Sequence, residues 1–493
     1  MSALAGVAPQ ALAAGIVALV GLCVVWQRPL LACVIVFVMA EELPGDAKFT
    51  AAAPTILRLG TRFYEPIGPA SPAILFGVVI ATVAVVRALV AGRRIAVPVV
   101  PTCLAAALST CALAVWIVGD PEVASVRGVL RAITYCGEPL LVLAGILLAR
   151  AVPAATARKD VVLGVGAGLV AKGLLGAVVL LRTGGVTVDD QQHLLYYDAA
   201  LPAVAGAALL GALLAHGGAP TFGAWCRSRR VGGTPHVVVI GAAAFVLLFS
   251  FRRAIWLMAV VGVVAGTVAV AQRVVLRRLV VLGGLAIVLV GVVPPAARAQ
   301  VAGRVERAAQ VITTGARTDT SAEGHVGDLR VGLAILKDHP VDGVGPRAKQ
   351  PRELAARSTD FYIHNDVLNY WLRFGIVAGL LLVALFVSIA WHGIRALRAP
   401  SLHVVDAGAA AFLAVVAVPC MTAAFVTSST RWPMIVGIAV GLVHRPSASR
   451  PSTSAPATAL EATAQADPDP GPDPAPGEPA VAGAGAALVG AAV

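Results

Sequence analysis

The chain has 493 residues, of which 58% are hydrophobic and only 13% are charged. A soluble domain carries about twice that share of charged residues. The apolar residues also gather in long runs, and about 20 consecutive apolar residues are enough for a helix to cross a bilayer. The composition therefore excludes an ordinary soluble enzyme and predicts an all-α polytopic membrane protein.

Apolar segments follow one another along most of the chain. The first two are short and meet at Arg28-Pro29, which allows either a hairpin or one broken helix there. We therefore expect about 12 or 13 transmembrane helices. The apolar segments lie at residues 10–26, 29–41, 72–91, 97–118, 127–150, 159–181, 197–216, 235–251, 254–271, 279–295, 366–391, 404–427 and 430–444.

Basic residues occupy every second connection between these segments. The positive-inside rule places such connections in the cytoplasm, which predicts a multi-pass protein of the cytoplasmic (inner) membrane. The pattern also explains the net charge of +12 without a nucleic-acid partner. The basic groups are Arg93 and Arg94; Arg150, Arg158 and Lys159; Arg227, Arg229 and Arg230; Arg273, Arg277 and Arg278; and Arg395 and Arg398.

One connection, residues 296–365, is much longer than the others. Its neighbours in the charge pattern predict a large, partly helical extracytoplasmic loop. Within it, residues 328–338 have the pattern of a short amphipathic helix. The transmembrane bundle is expected to occupy residues 1–445. Residues 446–493 are rich in Pro and Ala, cannot bury a core, and are predicted to form a disordered cytoplasmic tail.

Four polar residues lie at predicted outer ends of helices. His364 can accept a proton from a hydroxyl group, because histidine titrates near neutral pH; the plainer alternative is that it caps a helix. Arg252 and Arg253 share a tight turn near hydrocarbon, where such charges are costly. They could bind phosphate oxygens through paired donors or extend to lipid headgroups. Arg330 lies on the amphipathic helix, where a solvated arginine is common.

Charged residues also occur inside the apolar segments. Arg131 and Glu138 are seven residues apart and therefore share one face of a helix, and Lys172 lies in the next segment. Such residues face the interior of a bundle and pair with one another. A structural pair of Glu138 with Arg131 or Lys172 is the default expectation, and a transport pathway is the alternative.

Three short motifs in residues 235–390 resemble those of the O-antigen ligase / O-antigen polymerase superfamily of membrane glycosyltransferases. Their order, spacing and predicted sidedness agree with that family, whereas the rest of the chain resembles it only in architecture. The motifs are Arg253-Ala254-x-Trp256-Leu257, His339-Pro340-x-x-Gly343-Val344-Gly345, and His364-Asn365-x-x-Leu368 followed by Gly375 and Gly379.

The resemblance implies a metal-independent, cofactor-free transfer of a glycan at the outer face of the membrane. The donor would be a glycan on undecaprenyl diphosphate, and the acceptor a glycan or lipid-linked hydroxyl, with inversion at the anomeric carbon. His364 would be the general base, and Arg253 and Arg330 would bind the diphosphate. Arg252 stands where many members have a small polar residue, so either adjacent arginine could serve. The remaining motif residues expected at the site are Asn365, Leu368, Gly343, Gly345 and Gly375.

The motifs leave several functions open. Polymerases and ligases share them, and either could work beside other polysaccharide-assembly proteins. A lipid-linked oligosaccharide flippase or another transporter would need polar helices through the whole bundle and symmetric halves, and the sequence has few charges within its apolar segments. A peptidoglycan-type polymerase would also have a large outer loop, but it would depend on an outer aspartate rather than on a His-Asn motif.

Overall fold

A computed structural model of the chain describes residues 21, 24–39, 71–119, 125–183, 186–188, 191–193, 199–215, 230–231, 234–250, 252–270, 273–293, 295–314, 320–349, 362–429 and 431–444. All of them belong to the unit Met1–Arg445. The predicted tail 446–493, most of the first apolar segment and parts of the long loop lie outside these residues. The predictions for those regions therefore stay predictions.

The described chain is built almost entirely of α-helices. A short π-helix, Ile35–Met39, continues the first of them. In chain order the helices are α1 (Pro29–Val34), α2 (Pro72–Val90), α3 (Val99–Gly119), α4 (Val126–Cys136), α5 (Glu138–Ala151), α6 (Ala154–Thr183), α7 (Ala200–Leu214), α8 (His236–Phe249), α9 (Arg253–Val270), α10 (Arg273–Val292), α11 (Pro295–Thr314), α12 (Thr320–Asp338), α13 (Asp366–Leu397), α14 (Val404–Val415), α15 (Ala417–Cys420), α16 (Phe425–Ser428) and α17 (Arg431–Val443).

Two small antiparallel strand pairs lie in connections between helices. β1 (Val186–Val188) pairs with β2 (Gln191–His193) between α6 and α7. β3 (Arg230–Val231) pairs with β4 (Thr234–Pro235) immediately before α8. The strands are only two or three residues long. The prediction of an all-α membrane protein is therefore confirmed.

Six helices in the described part of the chain are long and apolar enough to cross a membrane: α2, α3, α6, α9, α10 and α13. The pair α4 and α5 forms a seventh candidate, bent by 73°. Five shorter apolar helices also occur, at Pro29–Val38, Ala200–Leu214, His236–Phe249, Val404–Cys420 and Arg431–Val443. A polytopic membrane protein follows from this count, whereas the total of 12 or 13 crossings stays a prediction.

The segment predicted as one helix at 127–150 is in fact two, α4 and α5, which meet at Gly137. Pro139 lies in the first turn of α5. Proline has no N–H group and its ring collides with the preceding turn, so the helix has to restart there. The segment predicted at 404–427 is similarly divided into α14, α15 and α16, and Pro419 lies within α15.

The basic residues expected in a loop at 273–278 instead lie in the first turns of α10. Arg278 is buried, and its Nη1 donates hydrogen bonds to the carbonyl oxygens of Leu213, at 2.8 Å, and of Ala215. The last carbonyl groups of a helix have no partner within the helix. Arg278 therefore caps the end of α7, a role that apolar patterning could not reveal.

Two ion pairs connect the first turns of α6 to neighbouring parts of the bundle. Arg28 Nε donates to Asp160 Oδ1 at 2.7 Å, and Arg158 Nε donates to Asp406 Oδ1 at 3.2 Å. A cavity of about 150 Å³ lies beside them, lined by apolar side chains of α1, α6, α7, α8, α14 and α17, with His236 as its polar lining residue. This cavity is at the end of α13 opposite to the candidate site.

Candidate functional site

The His-Asn motif begins α13. Asn365 is the residue that caps this helix, and its side chain accepts a hydrogen bond from the Leu368 backbone N–H at 2.9 Å. The same side chain donates through Nδ2 to the Met421 carbonyl oxygen at 3.3 Å. The motif residue Asn365 thus fixes the start of α13 and attaches it to the segment after α15.

Helix α12 lies against this start of α13. A Cβ atom added to Gly332 would lie 2.5 Å from Leu368 Cδ2, so the two helices could not approach this closely with a larger residue. Asp328 is four residues before Gly332 and therefore lies on the same face of α12. His364 lies two residues before α13 begins, at the end of α13 that this face of α12 contacts.

His364 Nδ1 is hydrogen-bonded to Asp328 Oδ2. The Asp328 side chain is 6% exposed and that of His364 is 18% exposed. Because a carboxylate only accepts hydrogen bonds, Nδ1 carries the proton and donates it. The tautomer that results has its proton-accepting lone pair on Nε2, as a general base requires.

Two aromatic rings contact the imidazole of His364 edge-on. The His325 ring centroid lies 4.5 Å away and the Tyr362 centroid 4.7 Å away. Tyr362 Oη also accepts a hydrogen bond from the Ala424 backbone N–H at 3.4 Å. The ring of His364 is therefore confined between α12 and the segment that precedes α13.

The glycine motif that precedes His364 is hydrogen-bonded to a break in α13. Gly375 has φ +83°, a conformation that glycine adopts far more easily than other residues. At this break the Leu372 carbonyl accepts from the Val344 N–H at 2.7 Å, and the Ile376 N–H donates to the Val341 carbonyl at 2.9 Å. The turn thus satisfies backbone groups that the interrupted helix leaves without helical partners.

Gly343 also has to be glycine. Its φ is +68°, and a Cβ atom there would be closer than 3.0 Å to the Leu372 carbonyl oxygen. Gly345, with φ +90°, has no atom near the place of its missing Cβ, so its conformation alone favours glycine. Gly343 and Gly345 therefore allow the conformation of the turn. Gly375 allows the break in α13 to which this turn is hydrogen-bonded.

The break divides α13 into a short first segment, 366–374, and a longer second segment, 376–397. The second has the length of about one membrane crossing. The first is buried and polar, with Asp366, Asn369 and Arg373 among its residues. His364 therefore stands at the end of a short helix that packs on the bundle, and this end is called the His364 end below.

Arg252 and Arg253 lie at the start of α9, and both are partly buried. The Arg252 carbonyl accepts from the Ile255 N–H at 2.9 Å. The indole of Trp256 donates to the Leu247 carbonyl at 2.7 Å, which ties the start of α9 to α8. The tryptophan of this motif thus holds the start of α9, where both arginines lie, against α8.

The start of α9 is at the His364 end of the bundle. Gly266, near the end of α9, packs against Leu214, where α7 adjoins the first residues of α14. Helix α14 runs from there towards α15 and Met421, whose carbonyl binds Asn365. Because α9 packs along both α14 and α15, its first residue and His364 lie at the same end.

Arg330 occupies a different position from the other predicted site residues. It is exposed on α12, two residues beyond Asp328. Two residues correspond to about 200° around a helix, so the backbone directs Arg330 away from the face that meets α13. The structure therefore brings together His364, Asn365, Leu368 and the glycine turn, places Arg252 and Arg253 at the same end, and leaves Arg330 on the outer face of α12.

Asp328, Gly332 and His325 are site residues that the sequence interpretation missed. The amphipathic helix predicted at 328–338 is longer, because α12 begins at Thr320. Thr320 and Glu323 have the spacing of a capping box, which marks a helix start. That signal could have extended the predicted helix towards its start, so that it included His325 with Asp328.

The fold and this site define a polytopic membrane protein with an Asp-oriented histidine at one end of its helix bundle. Residues 237–384 match the family model described as O-Antigen ligase, and no curated protein matches the chain. The match confirms the resemblance to that superfamily over these residues. It indicates a glycosyl-transferring membrane enzyme.

Proposed function

We propose that the chain is a membrane glycosyltransferase that polymerises or ligates undecaprenyl-diphosphate-linked polysaccharide at the outer face of the cytoplasmic membrane. The observation behind this proposal is the His364–Asp328 pair, which lies within the matched residues 237–384. Asp328 fixes the tautomer in which Nε2 accepts a proton, and a base of this kind is what a hydroxyl acceptor needs.

The reaction forms one glycosidic bond and breaks one bond between the anomeric carbon and a phosphate oxygen. The acceptor hydroxyl oxygen attacks the anomeric carbon opposite the diphosphate, and its proton passes to His364 Nε2. The electron pair of the broken bond leaves with undecaprenyl diphosphate. Attack opposite the leaving group inverts the anomeric configuration, and the protonated imidazole is stabilised by the Asp328 carboxylate.

The departing diphosphate requires fixed positive charge rather than a strong acid. Arg253 and Arg252 are the arginines whose position at the His364 end supports this role, because guanidinium groups bind phosphate oxygens through paired donors. Arg330 belongs to the same proposal through the family resemblance. Its exposed position on α12 supports a contact with the outer part of the substrate rather than with the buried face beside His364.

A deletion strain tests the function in cells. Wild-type protein is expected to restore the surface polysaccharide, whereas His364→Ala should accumulate in the membrane without restoring it. His403→Ala is a suitable control because its side chain caps α14 at the opposite end. If His364→Ala restores the surface polysaccharide, this residue is not the general base.

The same strain separates the two reactions. Loss of a polymerase leaves carrier-linked single repeats, whereas loss of a ligase leaves long carrier-linked chains. Translocation of a lipid-linked glycan by the purified protein in vesicles, with no new glycosidic bond, would instead favour a flippase.

A further inference from the structure

Three hydrogen bonds join the residues beside His364 to one short segment, residues 421–426. This segment runs from the end of α15 into α16. Met421 and Val426 at its two ends and Ala424 between them each take part, so the contact extends along the whole segment. The bonds run from Asn365 Nδ2 to the Met421 carbonyl oxygen at 3.3 Å, from the Ala424 N–H to Tyr362 Oη at 3.4 Å, and from the Val426 N–H to Asp366 Oδ2 at 3.0 Å.

Asp366 makes the shortest of these bonds and is fully buried. A buried carboxylate is unfavourable unless its oxygens accept hydrogen bonds. Helix α16 has no side-chain cap of its own, and the first N–H groups of a helix have no partner within it. Val426 is the second residue of α16, so Asp366 supplies a cap from α13 and joins the starts of the two helices.

The 421–426 segment is itself fixed to the rest of the bundle. The Phe425 ring stacks on the indole of Trp432 in α17, with ring centroids 4.6 Å apart and an interplanar angle of 17°. The same indole is buried, and its centroid lies 5.9 Å from that of the Phe412 ring in α14. Asp366 is thus bonded to a segment that two other helices hold in place.

The backbone of His364 is not part of a helix, because α13 begins two residues later. Its position therefore depends on its neighbours, and residues on both sides of it are bonded to the 421–426 segment. Asp328 binds the imidazole from α12 instead and determines which ring nitrogen carries the proton. Two different elements therefore act on His364, one on its ring and one on its backbone.

We propose that Asp366 and the 421–426 segment are a positioning element that fixes the backbone of His364, while Asp328 orients its ring. The inference rests on the proposed function, because it concerns the same site. Asp366 acts through the Val426 N–H, so its contribution is a hydrogen-bond acceptor. A misplacement of about 1 Å at a reacting group can cost roughly 100-fold in rate, and loss of this bond would release the backbone on one side.

The test compares Asp366→Leu, which has a similar size but no acceptor, with Asp366→Asn, which keeps an oxygen for the Val426 N–H. In Asp366→Leu the kcat for glycan transfer should fall about 100-fold, with KM little changed. Amide hydrogens of 421–426 should exchange faster in this variant. Asp366→Asn should retain most of the activity and the slow exchange. Equal losses of kcat in the two variants would contradict the acceptor role.

Asp406→Leu is the matched control, because it also removes a buried carboxylate from the first turn of a helix, at the opposite end of the bundle. Both Leu variants leave a former partner without its hydrogen bond, so both should have a lower melting temperature. The control should nevertheless keep wild-type kcat when it is assayed well below its melting temperature. If Asp366→Leu is as active as this control, the positioning role is wrong.

A double-mutant cycle with Phe425→Ala tests the route of the effect. This change loosens the 421–426 segment at Trp432 without altering a residue of α13. The losses of kcat in Phe425→Ala and Asp366→Leu should therefore overlap, whereas losses that multiply would show that Asp366 acts independently of the segment. If Asp366→Leu does not accumulate, Phe425→Ala replaces it, and wild-type kcat in that variant overturns the inference. A wild-type protein that transfers no glycan would instead overturn the proposed function.

Discussion

At the scale of single residues, the site is an imidazole whose orientation is set by its neighbours. Asp328 binds Nδ1 of His364, and the rings of His325 and Tyr362 contact it edge-on. Asn365 holds the backbone beside it through hydrogen bonds to Leu368 and Met421. We therefore propose that His364 is the reactive residue and that the residues around it orient it without contacting the substrate.

Asp328→Asn should leave the protein folded but reverse the preference for the productive tautomer, because an amide can donate to Nδ1. We expect kcat to fall by about 10²–10⁴-fold, the range known when such an orienting carboxylate is lost. Asp338→Asn, at the exposed end of the same helix, should change kcat little. Equal activity of the two variants, measured by product formation, would contradict the orienting role.

The arginines should differ in their effects. Arg253→Ala should lower kcat/KM by about 10²–10³-fold, as expected for the loss of a donor that stabilises developing charge. Arg330→Ala should cost less than about tenfold, because its exposed position suits a solvent-screened contact. Kinetics of both variants with one lipid-linked donor check the order, and a larger loss for Arg330→Ala would reverse the assignment.

At the scale of helices, the positions of the apolar segments were predictable because a helix that crosses a bilayer needs a run of about 20 apolar residues. The segments predicted at 72–91 and 97–118 agree with α2 and α3 within a few residues. The breaks at Gly137 and Gly375 were not predicted, since each lies inside a segment, 127–150 or 366–391, that was predicted as one continuous helix. The contact of α12 with α13 depends on tertiary packing at Gly332, and apolar periodicity carries no information on it.

The turn that fills the break in α13 gives a test at this scale. Gly343→Ala should lower the melting temperature and the activity together, because the new methyl group would meet the Leu372 carbonyl in a backbone conformation unfavourable for alanine. Gly327→Ala, in α12 with open space around it, should be neutral or slightly stabilising. Similar melting temperatures for the two variants would contradict this role of the turn.

At the scale of the whole molecule, the candidate site and the Arg158–Asp406 ion pair lie at opposite ends of α13. The second segment, 376–397, is about 33 Å long at 1.5 Å per residue. His364 lies before its first residue, and the Arg158–Asp406 pair lies at its far end. The positive-inside pattern predicts that the far end faces the cytoplasm.

Labelling from one side of the membrane tests this orientation. In a protein with Cys103 and Cys226 replaced by serine, Arg330→Cys should react with an impermeant maleimide in intact cells. Lys159→Cys, equally exposed but beside the far end, should react only after permeabilisation. The opposite pattern would place the histidine in the cytoplasm and exclude the proposed outer-face reaction.

The most direct measurement of the central claim is glycan transfer by purified protein in vesicles with a defined undecaprenyl-diphosphate-linked donor. Wild-type protein should form a new glycosidic bond and release one undecaprenyl diphosphate for each bond. His364→Ala should bind the same donor yet release none above background. Release by His364→Ala at the wild-type rate would show that the imidazole is not the base on which the account depends.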